Sequence, residues 1–130
     1  MLTSNRAAEI AGILVVDDDK DTASTMACLL EHVGHDVHIA RNGDQAIEIA
    51  RRQHPKYVLL DIGLPGLDGY QVASRLRQEL AESTVIIAVT GYGREADRRR
   101  ALASGFDHYF VKPVLDHDAL IALLSTSNAG

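Results

Sequence analysis

With 130 residues, 46% of them hydrophobic and 24% charged, the chain has room for one domain with one sizeable core and not for two. Its net charge of −5 argues against direct nucleic-acid binding, which needs a basic surplus. The single cysteine, Cys28, excludes an intrachain disulfide, and no apolar run approaches the roughly 18 residues of a membrane span, so a cytoplasmic protein is expected.

Residues 1–11 are mixed and small and read as a loose or partly helical lead-in. Gly12-Ile13-Leu14-Val15-Val16 reads as a buried strand that stops at Asp17-Asp18-Asp19. From Lys20 the period changes: Met26, Leu29, Leu30 and Val33 form one helical stripe, closed by Gly34. Asp19 is placed as the N-cap of this helix, and Cys28 within it as a small packed residue. Asp36 to Ala40 alternates polar and apolar, as a half-exposed strand near a sheet edge does.

Asn42 caps a second predicted helix that runs to Gln53 with Ala46, Ile47 and Ala50 inward, and His54-Pro55 ends it. Tyr57-Val58-Leu59-Leu60 has no polar alternation, the pattern of a strand buried on both faces. It stops at Asp61, and the turn formers Gly63, Pro65, Gly66 and Gly69 follow. A third helix is predicted over 69–80 with Val72, Leu76 and Leu80 inward, then a buried strand over 84–89 that ends in Thr90-Gly91.

A fourth helix, 93–103, carries Arg94, Arg98, Arg99 and Arg100 on a charged outer face and closes at Ser104-Gly105. His108 to Val111 is a short fifth strand ending in Lys112-Pro113, and a last helix over 116–124 precedes a frayed tail, 125–130. The histidines at 32, 35, 38, 54, 108 and 117 show no metal-ligand spacing and read as surface or packing residues. Five strands alternating with five helices predict one α/β domain over 12–124, a doubly wound parallel sheet with right-handed crossovers.

In such a sheet the carboxyl ends of all strands share one rim, which is where open α/β sheets bind ligands. An acid at a single strand end is ordinarily a cap. Here the first strand delivers Asp17 and Asp18, the third Asp61, the fourth Thr90 and the fifth Lys112 to one crevice. Three crowded carboxylates repel, and a hard divalent cation relieves them. Mg2+ suits best, because it takes few protein ligands and keeps places for water and phosphate oxygens. Three acids, one Mg2+ and one lysine balance in charge. A phosphoryl group of roughly −2 on Asp61 then meets cations and a hydroxyl arranged to neutralise it. The pattern is that of an aspartate that accepts phosphate covalently.

The segments ILVVDDD, LLDIGLPGLDGY, VTGY and YFVKPV, in this order, resemble the receiver domains of two-component response regulators, over Gly12 to Leu124. The resemblance implies the flavodoxin-like strand order 2-1-3-4-5, with Asp61 as phosphoacceptor and Asp17 and Asp18 as Mg2+ ligands. It also implies the Gly63 carbonyl as a further ligand, and Thr90 and Lys112 on the phosphoryl oxygens. Tyr109 takes the position of the aromatic that turns inward with the Thr, and Lys112–Pro113 that of a cis peptide. Gly63 and Tyr92 take the positions that tune dephosphorylation, where the open glycine and the bulky tyrosine act in opposite directions.

The implied partners are a histidine kinase or histidine phosphotransfer protein. Output is expected through the face of the fourth helix, fifth strand and fifth helix, as a monomer or an activation-linked dimer. The arginines of that helix suit an acidic partner patch. The chain reads as a phosphorelay signalling domain and not a turnover enzyme, either a single-domain regulator or a receiver from a hybrid histidine kinase or larger regulator. The alternative is a haloacid-dehalogenase-like phosphatase. Those enzymes carry a second acid two residues after the nucleophile, where this chain has Gly63. A flavin or nucleotide binder is disfavoured, since Gly91-Tyr92-Gly93 is only a fragment of a phosphate loop and follows the wrong strand.

Overall fold

The computed structural model describes residues 12–62, 69–80, 83–90, 99–100 and 102–111, with Thr90 and Val111 described by their backbone. In chain order the elements are β1 (Gly12–Val16), α1 (Lys20–His32), β2 (Asp36–Ala40), α2 (Gly43–Gln53), β3 (Tyr57–Asp61), α3 (Gly69–Glu79), β4 (Val85–Thr90) and β5 (His108–Val111). Arg99, Arg100, Leu102 and Ala103 are helical, and the chain then turns at Ser104-Gly105, where Gly105 takes φ +111°. The lead-in, the start of the fourth helix, the last helix and the tail lie outside the described residues.

The five strands form one sheet in the order β2-β1-β3-β4-β5, every neighbouring pair parallel. That is the expected doubly wound topology. Its winding reverses between β1 and β3, and a crevice opens at such a reversal beyond the carboxyl ends of the strands.

Because side chains alternate across a strand, each central strand supplies two cores. Leu14, Val16, Val58, Leu60, Ile86 and Ala88 face Ala46, Ile47 and Ala50 of α2 and Val72, Ala73 and Leu76 of α3. Ile13, Val15, Tyr57, Leu59, Ile87 and Val89 form the other core, with Ala23 and Leu30 of α1. Fully burying each large aliphatic side chain contributes about 1.5–3 kcal/mol. β2 is a sheet edge, with only Ala40 fully buried along it.

α1 keeps part of the expected stripe, with Leu30 fully buried and Met26 packed on the same core. Its sheet-facing line is Ala23, Ala27 and Leu30, while Val33 is the C-cap residue and 44% exposed. Small alanines let the helix backbone approach the sheet, and that rotation turns Cys28 outward, so the cysteine is exposed and not packed. β4 begins at Val85, one residue later than expected, because Thr84 joins the turn: its buried hydroxyl lies 3.5 Å from the Pro55 carbonyl.

α2 and α3 are linked at the surface by Arg51 and Glu79. Their hydrogen bond, before their charge attraction, holds the Glu79 carboxyl below and the Arg51 guanidinium above their ordinary ranges. Such an exposed pair contributes little to stability.

Candidate functional site: an acidic crevice at the sheet switch point

β1 and β3 are neighbours in register, Val16 opposite Leu60, so Asp17, directly after β1, and Asp61, the last residue of β3, follow at the same level. Asp17, Asp18 and Asp61 each offer a carboxylate oxygen within 4.8 Å of the others'. Asp17 is 5% exposed, Asp61 is half-buried and Asp18 is exposed, so the cluster opens towards solvent on one side. Oxygens on an octahedral Mg2+ with bonds of about 2.1 Å stand roughly 3 to 4 Å apart, so a hard cation fits this donor set with small side-chain rotations. Below the acids a cleft is walled by Val15, Leu59, Val89, Thr22 and Met26.

The acids are held by main-chain geometry that follows from local sequence. The Asp17 amide donates to the Ala40 carbonyl at 3.0 Å, continuing the β1–β2 ladder one residue past the strand. The Asp19 amide donates to Asp17 Oδ1 at 3.0 Å. Asp19 itself caps α1: it accepts the Asp21 amide at 3.1 Å and the Thr22 hydroxyl at 2.8 Å. Capping therefore occupies Asp19, while Asp17 and Asp18 are the acids whose oxygens meet Asp61.

Just past the neighbouring strand β2, Arg41 Nη2 donates to the Asp18 carbonyl at 3.2 Å. Arg41's own amide donates to Gln45 Oε1 at 2.8 Å, and Asn42 accepts the Gln45 amide at 2.9 Å as the cap of α2. Asn42 and Gln45 thus form a capping box whose glutamine reaches one residue further back than usual. Neither Arg41 nor Thr22 stood out in the sequence. Thr22 sits three residues after a capping acid, a local signal that was there to find; Arg41 carries no motif, and only the parallel pairing of β1 with β2 brings it to the acids.

Thr90 ends β4 with its backbone opposite Val111 of β5, so the chain past β5 starts at the same rim. The Thr90 side chain, Gly63, Tyr92, Lys112 and Pro113 lie outside the described residues. Tyr109 is half-buried and packs on the core that faces α2 and α3. Of the arginines expected on the outer face of the fourth helix, Arg99 is exposed, and Arg100 lies 4.1 Å above the Tyr70 ring. Tyr70 meets Phe106 edge-on at 6.4 Å, so Arg100 caps an aromatic pair at the edge of the core.

Comparison with known proteins agrees with this geometry. The family model for the response regulator receiver domain matches residues 13–125. An uncharacterized 14.6 kDa protein of Leptolyngbya boryana is 42% identical over 103 residues, 78% of this chain and 79% of that protein. The transcriptional regulatory protein SrrA of Staphylococcus aureus is 37% identical over 109 residues, 84% of this chain; the match spans 44% of that regulator. Among solved structures, the receiver domain of sensor histidine kinase PA1611 from Pseudomonas aeruginosa superposes with a TM-score of 0.81 at 28% identity, covering 93% of this chain and 99% of that one. That structure holds a magnesium ion coordinated in its active-site cleft. An all-parallel 2-1-3-4-5 sheet with three acids at its switch point, and a family match over nearly the whole chain, lead to one conclusion: the chain belongs to the response regulator receiver domain family of two-component signalling.

Proposed function

We propose that this receiver domain is a phosphate switch in which Asp61 takes a phosphoryl group from a phosphohistidine of a histidine kinase or histidine phosphotransfer protein. The observation that carries the reading is the meeting of Asp17, Asp18 and Asp61 oxygens within 4.8 Å at the ends of two adjacent strands. An Asp61 oxygen attacks phosphorus, the P–N bond breaks, and its electron pair returns to the imidazole nitrogen, which takes up a proton. The product is an acyl phosphate on Asp61, which water later hydrolyses.

Asp17, Asp18, Asp61 and the Gly63 carbonyl would hold Mg2+, which supplies charge neutralisation to the transferring phosphoryl. Thr90 donates its hydroxyl to a phosphoryl oxygen and Lys112 pairs with another. With Tyr109, Thr90 passes the change to the face of the fourth helix, β5 and the last helix, where a downstream partner or a second copy binds. The cis geometry of Lys112–Pro113 belongs to the same proposal. A cytoplasmic site of action belongs to the same proposal; among the described residues no helix is long and apolar enough to cross a membrane.

The test exposes wild type and Asp61→Asn to a small phosphodonor with Mg2+, read by intact mass, and to beryllofluoride, read by amide chemical shifts. Wild type is expected to gain one phosphoryl group and to shift at the crevice; Asp61→Asn is expected to do neither. Equal labelling of both proteins, or of neither, overturns the assignment.

A further inference from the structure

The peptide unit between Asp18 and Asp19 is gripped at both ends. Its N–H donates to Asp17 Oδ1 at 3.0 Å, and its C=O accepts from Arg41 Nη2 at 3.2 Å. In a trans peptide these groups point in opposite directions. Guanidinium, peptide and carboxylate therefore form one chain of hydrogen bonds that runs from the end of β2 to an acid of the crevice. A cation donating to the carbonyl polarises the amide and strengthens the bond that the same peptide makes at its other end. The start of the chain is fixed as well, because the Arg41 amide is held by Gln45 and the α2 cap.

We propose that Arg41 is a positioning residue for the metal-binding acids: through the Asp18–Asp19 peptide it fixes the orientation of the Asp17 carboxylate, and so sets the Mg2+ affinity of the site. The inference rests on the phosphate-switch reading and adds to it a residue from the turn that follows β2. Groups that orient a metal ligand without touching the metal typically alter affinity by 10- to 100-fold. The exposure of the Arg41 bond puts the expected effect lower, at about three- to tenfold.

The direction of the effect separates this role from a plain charge effect. Arg41 is a cation near a cation site, so if it acted only by its field, removing it would tighten Mg2+ binding, and salt would erase the change. If it acts by position, removing it weakens binding, and the loss persists in salt.

The experiment titrates Mg2+ calorimetrically into the full chain as wild type, Arg41→Met, Arg41→Lys and Asp17→Asn, at low and high salt. Amide hydrogen exchange at Asp19 is followed without metal. Arg41→Met is expected to bind Mg2+ about three- to tenfold more weakly at both salt concentrations and to exchange the Asp19 amide faster. Arg41→Lys, which keeps a cationic donor, is expected to recover most of both. Arg41→Met binding as tightly as wild type or tighter, or Arg41→Lys no better than Arg41→Met, overturns the proposal and leaves the phosphate switch standing. Wild type with no Mg2+ affinity beyond that of Asp17→Asn overturns both.

Discussion

Gly69, the first residue of α3, donates its amide to the Ile62 carbonyl at 3.1 Å, and a β-carbon on it would stand 2.5 Å from the Ile62 α-carbon. The atoms it would strike are backbone, including the Ile62 carbonyl oxygen at 2.6 Å, so no side chain can swing away to make room. Ile62 directly follows Asp61. The start of α3 is thus pressed against the segment that carries the proposed phosphoacceptor, and the close approach requires glycine.

Gly69→Ala is therefore expected to move the residue after Asp61. Overpacking of this kind costs about 1–3 kcal/mol, more than alanine regains through helix propensity at a first helical position. Urea unfolding should show the loss, and phosphodonor labelling of Asp61 should slow. Wild-type stability and labelling would show that the contact yields without consequence.

Arg77 ties the opposite end of the sheet together. Its guanidinium donates to the Thr84 carbonyl at 2.8 Å, the Gly105 carbonyl at 3.0 Å and Asp107 Oδ2 at 2.7 Å. Asp107 Oδ2 in turn accepts the Ile86 amide at 2.8 Å. One side chain on α3 thereby fixes the entries to β4 and β5. Arg77→Met keeps most of the stem and leaves two carbonyls short of a donor, at a cost of about 2 kcal/mol. Urea denaturation measures it, and a change under about 0.5 kcal/mol, the range of an ordinary surface substitution, would show the network to be dispensable. Mg2+ affinity of the folded protein should stay near wild type, because the bonds lie at the far end of the strands.

His54 is the C-cap of α2 and holds φ +48°, ψ +59°, a left-handed conformation. For a residue with a β-carbon this costs about 1–2 kcal/mol, of which glycine's extra freedom in the unfolded chain takes back roughly half. His54→Gly is expected to stabilise the domain by about 0.5–1 kcal/mol, seen as a higher denaturation midpoint with unchanged slope. His54→Val should lower it, since a β-branched residue tolerates this region least.

His35, between Gly34 and β2, is 8% exposed, and burial lowers its pKa from the ordinary value of 6.5. The unfolded chain then binds a proton at a higher pH than the folded one. Stability is accordingly full above about 6.5 and falls as the pH drops from there towards the lowered folded value. Wild type is expected to lose stability between pH 7.5 and 5.5 more steeply than His35→Asn, which does not titrate in this range. Parallel slopes for the two proteins in urea unfolding would contradict this.

The central strands were legible in the sequence because burial on both faces erases polar alternation and leaves short apolar runs ending in acids or turn formers, and the edge strand β2 because its alternation survives. Asn42 and Asp19 were legible as caps because capping is a contact over two or three residues. The faces of α1 were not. The expected stripe of Met26, Leu29, Leu30 and Val33 holds at Leu30, which is fully buried, and at Met26, which packs on the same core; only contact with the sheet adds Ala23 and Ala27 and turns Val33 and Cys28 to solvent.

What the sequence determined by itself is the set of chemical groups at the strand ends: Asp17 and Asp18 after one apolar run and Asp61 after another, which parallel alternation sends to a common rim. Local propensity and burial suffice for that, since each signal spans a few neighbouring residues. The tertiary structure decided how those groups are held: Arg41 on the Asp18 carbonyl across 23 residues, Gly105 and Asp107 on Arg77 across 28 and 30, and Gly69 against Ile62. These contacts depend on strand register and on the distance between elements. Both are set by the packing of the whole sheet and not by any one segment.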